Sequence, residues 1–535
     1  MADFSRVGKV LSIVIGATVS LLVAVSSPEA QAPVLFEAST ECLACHNSLT
    51  TPLGEDVSIG VDWRGSMMAN SARDPYWQAA VRREVMDHPM AKQEIEDECT
   101  VCHMPMSTNQ ARARGGKGTM FDHVAKKDPL AMDGVSCTLC HQITNQKFGT
   151  PESFTGGYVI DVATPVPRPM FGRFKIDAGH ATVMRSATGF KPTEAKHVEE
   201  SELCATCHTL YTNARGPKGD VIGRLPEQVP YLEWRHSVFR TEKSCQACHM
   251  LTVKEETPIT NILGQPRKDF ARHVFRGGNF FMMRMLNRYR VDLDVVATSG
   301  EIDSSLRRTI EHLQSETAAV SIERAVTASG RLEIDVAVRN LAGHKFPTAY
   351  PSRRAWLHVT VRDQDGRTVF ESGALRANGL IQGNDNDIDP GRYEPHYTEI
   401  RQPDQVQIYE SIMVDSNGAV TTGLLTGLRY VKDNRLLPRG FDKASAEPDI
   451  AVIGDASKDS DFVDGRDTVR YSIDIAGASG PLQIEVELRF QPISFRWADN
   501  LRKYDAPEPK RFVGYYDAMS TASSEIISRA TATAR

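Results

Sequence analysis

From about Ala318 onward, apolar and polar positions alternate with a period of two. Leu332, Ile334, Val336 and Val338 alternate with Glu333, Asp335, Ala337 and Arg339, and Leu357, Val359 and Val361 alternate with His358, Thr360 and Arg362. The pattern returns at Val469, Tyr471, Ile473 and Ile475 and at Leu482, Ile484, Val486, Leu488 and Phe490. Successive side chains of a strand point to opposite faces, so each run predicts a half-buried strand. Asp365-Gly366 predicts a hairpin turn before a short strand Thr368–Phe370. Together these runs predict an antiparallel β-sandwich of immunoglobulin-like type over residues 318–535. Two long inserts, 373–405 and 431–467, are expected either to act or to pack over the rest of the chain.

Upstream the periodicity is different. Leu306, Ile310 and Leu313 fall at helical spacing, with Asp303 or Ser304 as the expected cap, and predict a helical linker over 293–317. His312 on that helix reads as a surface or packing residue. From 33 to 292 little periodicity survives beyond short helices, one of them around Tyr76–Val85, and the region predicts a mostly irregular and α domain. The first 32 residues read as a signal peptide: Arg6 and Lys9, an apolar run Val10–Val25, then Ala30-Gln31-Ala32 as a cleavage site. The protein is therefore expected in the periplasm or on the outer cell surface.

Charge excludes one class of partner. Lys and Arg total 62 against 68 Asp and Glu, a formal charge of −6, which argues against nucleic acid. A near-neutral, slightly acidic surface suits docking to a basic patch on a redox protein.

Cysteine decides the chemistry. All ten cysteines fall in five Cys-x-x-Cys-His motifs: Cys42/Cys45/His46, Cys99/Cys102/His103, Cys137/Cys140/His141, Cys204/Cys207/His208 and Cys245/Cys248/His249. This is the attachment signature of c-type haem, in which two thiols bond the porphyrin and the histidine supplies one axial nitrogen. Zinc ribbons use Cys-x-x-Cys in pairs, and five motifs do not pair. The expectation is five covalent haem c groups, with His46, His103, His141, His208 and His249 as proximal ligands.

The opposite axial positions are the next question. Outside the motifs, the same region holds His88, His123, His180, His197, His236 and His273, six histidines for five irons. They are spread between the motifs and are the expected distal ligands. His344, in Gly343-His-Lys-Phe-Pro-Thr348 just after a predicted strand, is a further candidate, able to lock the β region onto a haem. Met67, Met68 and the Met282/Met283/Met285 cluster offer thioether ligands or apolar filling. Asn384-Asp-Asn-Asp-Ile-Asp389, with Glu394 and His396 nearby, is an oxygen-rich turn that suggests Ca²⁺, although it lacks the full EF-hand pattern. Asp459, Asp461 and Asp464 form a weaker acidic cluster.

Cys42-Leu-Ala-Cys-His46, Trp63-Arg-Gly-Ser-Met-Met-Ala69 with Arg73-Asp-Pro75, and Cys99-Thr-Val-Cys-His-Met-Pro105 carry a resemblance. Over about residues 38–285 the chain resembles the multihaem cytochromes c of the tetrahaem-cytochrome and hydroxylamine-oxidoreductase-like superfamily. The resemblance implies a closely stacked chain of haems, mostly with bis-histidine ligation. Gly343–Thr348 and Pro351-Ser-Arg-Arg-Ala-Trp-Leu357 are similar to domains fused to such cytochromes. The pentahaem nitrite reductases are disfavoured, because they place lysine at one proximal position and this chain has histidine at all five. The expected function is electron transfer between redox partners. Its alternatives are a multihaem oxidoreductase with one open haem acting on a small nitrogen or sulfur compound, and a subunit of a larger membrane-associated or extracellular conduit.

Overall fold

A computed structural model describes residues Val34–Arg535, so the expected signal peptide lies outside the described residues. Helices dominate the first part of the chain and antiparallel sheets the second. Among the described residues no helix is long and apolar enough to cross a membrane.

The helical region is built from short pieces. Helix α1 (Pro75–Asp87) begins because Asp74 accepts hydrogen bonds from the backbone N–H groups of Tyr76 and Trp77, at 2.8 and 3.1 Å, with Pro75 at its first position. His88 closes it and Pro89 follows. Helix α2 (Lys92–His103) carries the second motif on its last turns. Helices α3 (Ala178–Thr188), α4 (Phe280–Arg288) and α5 (Ser299–His312) come later. The expected cap of α5 at Asp303 or Ser304 is corrected: Thr298 and Glu301 form a reciprocal capping box, so the helix begins one turn earlier. The capping box lies before the apolar stripe, and the stripe alone marked the helix too late.

The strands of the two main sheets are β1 (Ala318–Ala328), β2 (Arg331–Asn340), β3 (Arg354–Arg362), β4 (Thr368–Ser372), β5 (Glu399–Ile400), β6 (Ile408–Tyr409), β7 (Arg466–Asp474), β8 (Leu482–Gln491) and β9 (Glu525–Ala534). One sheet runs β1-β2-β7-β5 and the other β4-β3-β8-β9, with β6 on β3. All these pairings are antiparallel except β5 on β7. Register follows the alternation: Val336 faces Val469, and Val359 faces Val486. The apolar positions of β2, β3, β7 and β8 share one core. Each of these fully buried Val, Leu or Ile side chains stabilises the fold by about 1.5–3 kcal/mol. The edges β1 and β9 meet through side-chain hydrogen bonds, Ser528 Oγ accepting from Val320 N–H at 3.1 Å and Thr327 Oγ donating to Arg535 O at 2.7 Å.

That core does not stop at the sheets. It continues into Phe280, Phe281, Met282, Met283, Met285 and Leu286 of α4 and Ile302 of α5. Helix α6 (Pro507–Asp517) reaches back to α1, with Phe512 against Tyr76 and Glu508 paired in two bonds to Arg82. The insert 431–467 also packs over the helical region, where Asp449 accepts from Tyr211 and Glu447 from His236. Residues Val34–Arg535 therefore form a single compact unit.

Candidate functional site

All fifteen motif residues line one cavity of about 1490 Å³. A pocket for one small ligand holds roughly 300–1,000 Å³, so this space exceeds a single-ligand site. Its walls include Trp63, Trp77, Met67, Met68, Phe171, Met282 and Met283. Among the described residues no two cysteines form a disulfide. Cysteines of different motifs lie beside one another: Cys42 beside Cys137, Cys102 beside Cys207, and Cys204 beside Cys245. The first motif therefore neighbours the third, and the fourth neighbours both the second and the fifth.

The proximal histidines are prepared as ligands. The Nδ1–H groups of His46, His103, His141 and His249 donate to the carbonyls of Ile259, Ser71, Phe171 and Arg276 at 2.6, 3.2, 2.5 and 2.6 Å. A carbonyl accepts only, so each bond fixes the proton on Nδ1 and leaves the Nε2 lone pair for a metal. Burial lowers the pKa of all five, His103 and His249 to about 4, which keeps the rings neutral as metal binding requires. Trp77 lies flat on His103, ring centres 4.4 Å apart at 2°.

The other histidines separate into two sets. His180, His273 and His344 line the cavity, and so does His312, which the sequence placed at the surface or in packing. His312 is drawn in because it lies one turn before Glu316, which Arg276 holds at the cavity wall. The pattern of apolar residues around it gave no sign of this. His273 is half-buried, and desolvation lowers its pKa to about 3. Its ring centre is 6.2 Å from that of His141, at 24°. His344 stands 6.2 Å from His249 at 12°, with its Nδ1–H donating to Lys345 O at 2.9 Å. His312 is 6.0 Å from His249 but turned by 73°. His180 is different: both nitrogens are used, Nδ1 on Asp177 at 2.6 Å and Nε2 on Leu263 O at 3.0 Å, and its pKa is raised by the Asp177 carboxylate.

His88, His123, His197 and His236 are not among the lining residues. The Nε2 of His197 donates to Ile143 O at 2.9 Å, and that of His236 lies 3.1 Å from Glu447. His123 pairs with Asp128 through Nδ1 at 2.8 Å, and His88 Nε2 is buried with no partner.

The oxygen-rich turn 384–389 is committed elsewhere. Both carboxylate oxygens of Asp387 accept from Arg354, at 2.8 and 2.9 Å, in a fully buried pair. Asn384 caps Asn386, and Asp385 pairs with Arg392. Nothing there supports Ca²⁺, because the oxygens already satisfy protein donors. His396, Asp459 and Asp467 converge nearby. His396 Nδ1 accepts from the amides of Gln407 and Asn434 at 2.9 and 3.1 Å. The amide oxygens accept from Tyr397 and Glu410 N–H, which fixes both orientations. The ring proton is therefore on Nε2, which donates to Asp459 at 3.1 Å. A ligand nitrogen must be bare, so this cluster reads as a hydrogen-bonded one.

Five attachment motifs around one largely apolar cavity, with the motif imidazoles on its walls, are the arrangement that covalent attachment of several c-type haems requires. Residues 41–142, which hold the first three motifs, match the family model of cytochrome c554 and c-prime. Among solved structures the chain is similar to a pentahaem cytochrome c552 from Thermochromatium tepidum, at a TM-score of 0.55 and 16% identity, covering 94% of this chain and 100% of that one. At that identity the likeness concerns the fold. No curated protein matches the chain in sequence.

Proposed function

We propose that the chain holds five haem c groups, one per motif, and serves as an exported electron carrier between redox partner proteins in the periplasm or at the outer surface. One observation carries this reading: every motif opens on the same cavity. When bound, haem supplies a one-electron ferric/ferrous couple. The chain's part is to fix ten thioether positions, to hold four of the five proximal imidazoles in one tautomer, and to exclude water with apolar walls. The cysteine proximities link the motifs in space as 1–3–4, with the second and the fifth also beside the fourth. The two sheets, sharing one core, serve as an immunoglobulin-like sandwich that closes this cavity from one side.

Two distal ligands follow from distance. Two imidazoles on opposite faces of one metal ion, each nitrogen about 2.0 Å from it, have ring centres a little over 6 Å apart. His141 with His273 and His249 with His344 meet this separation with near-parallel rings. The test is haem content by pyridine haemochrome, then low-temperature EPR of the oxidised holoprotein. Five low-spin haems per chain are expected, and His344→Ala should turn one of them high-spin. A wild type with fewer than five haems, or an H344A spectrum without a high-spin signal, overturns the corresponding assignment.

A second reading, an oxidoreductase with one open iron, is favoured by His46, His103 and His208. None has a second imidazole ring paired with it among the described residues. A high-spin signal in the wild type that shifts on adding nitrite or hydroxylamine would make this the better reading.

A further inference from the structure

Buried arginines in this protein have carboxylate partners, with few exceptions. Arg354 binds Asp387, Arg435 binds Glu233 and Asp433, Arg272 binds Asp62 and Glu55, and Arg276 binds Glu316. Arg353, half-buried, faces the cavity and has none. It lines the wall beside Thr348, Tyr350 and Asn279 and forms no ion pair among the described residues. Its guanidinium donates to Thr348 O and to Asn279 Oδ1, both at 2.9 Å, and both partners are neutral. Five N–H donors are available on a guanidinium, so donors remain that no protein acceptor takes. Desolvation alone lowers its pKa, to about 10, with no carboxylate acting against it. It lies near His208 of the fourth motif and near His344, whose ring stands 6.2 Å from His249 of the fifth.

A planar cation in an apolar cavity is costly unless an anion meets it, and a guanidinium matches a carboxylate in two parallel bonds. The cavity walls offer Arg353 none. We propose that Arg353 is the receptor for a carboxylate that enters the cavity with its occupant, a haem propionate at the fourth or fifth motif. This rests on the haem reading above. It makes the segment just before β3 the source of two functional side chains, His344 as ligand and Arg353 as anion clamp. Arg353 acts there as a positioning and tuning residue, because its charge offsets the propionate's charge near the iron.

The experiment is spectroelectrochemical titration of the holoprotein as wild type, Arg353→Gln and Arg353→Lys, after haem content has been measured for each. A wild type without five haems defeats the haem reading and says so independently of Arg353. With haem content equal, R353Q should leave the propionate uncompensated and favour the ferric state of one component. That component's ferric/ferrous ratio at a fixed potential should rise about tenfold, equal to a midpoint about 59 mV lower for one electron. It should also become pH-dependent below neutrality, where the wild type is flat, and R353K should restore most of the midpoint. Superimposable titrations of R353Q and wild type overturn the proposal. If R353Q moves no midpoint yet abolishes a saturable spectral response of the wild type to added nitrite, Arg353 receives a diffusible oxyanion and the propionate assignment falls.

Discussion

The two halves of this molecule bury apolar surface by different means. In the sheets, Leu332, Ile334, Val336 and Val338 of β2 meet the side chains of β3, β7 and β8 directly, and all are fully buried. Around the motifs, Trp63, Trp77, Met67 and Met283 face a cavity, with smaller side-chain clusters behind them. The sheets are closed by their own residues, and the motif walls surround a cavity that five haems, on the reading above, would fill. Protein interiors are packed as densely as organic crystals, so walls of this kind lose contacts until something fills them. The comparison predicts that the halves respond differently to the same degree of damage.

The largest effect is expected from the fourth motif, whose cysteines lie beside the second and the fifth. Cys204→Ser with Cys207→Ser should lower the haem count below five and destabilise the helical region as a whole. Haem content per chain and a thermal melt followed at the Soret band check this, and an unchanged melt would remove the contrast between the halves. Next comes Asp387→Asn, which leaves Arg354 buried with half its partner. Breaking such a pair costs about 3–5 kcal/mol. Denaturant unfolding should show that loss while the haem spectrum of the folded protein stays as in wild type.

A smaller, pH-dependent effect belongs to Glu227, which lines the cavity. Burial first and the Glu84 charge second raise its pKa from 4.5 to about 8. Between those values an unfolded chain has released the proton and the folded one keeps it. Stability from this group is thus fully present below pH 4.5 and is lost as the pH rises to about 8, by up to about 1.4 kcal/mol per pH unit. Glu227→Gln should flatten melting temperature against pH in that window; an unchanged slope would mean the carboxyl is ionised in the folded protein. The smallest effect is Lys458→Ala, whose exposed pair with Asp455 spans 3.5 Å. Exposed pairs are worth about 0–1 kcal/mol, and added salt should erase even that.

Legibility in the sequence follows the range of the physics. The strands β2, β3, β4, β7 and β8 lie where period-two alternation put them, because side-chain direction in a strand is a local property. Helix α1 covers the predicted Tyr76–Val85 for the same kind of reason. The parallel strand β5 and the closing helix α6 carried no comparable signal, since each depends on a neighbour distant in sequence, whereas the cap of α5 is a local Thr298–Glu301 signal that lies ahead of the apolar stripe. Histidine shows the limit most clearly. His312 and His344 meet His249 only through the packing of α5 and of the segment before β3, and no spacing along the chain encodes that meeting.

By itself the sequence determined the covalent chemistry. Five Cys-x-x-Cys-His motifs with no spare cysteine spell out the attachment signature of c-type haem whatever surrounds them, because attachment needs only residues within five positions of each other. Only the tertiary structure decided that the motifs share one cavity and that the fourth lies at their centre. It also decided that Asp387 answers an arginine, and that Arg353 faces the cavity without a carboxylate. Those outcomes depend on which long-range contacts bury which charges, and burial is a property of the folded molecule.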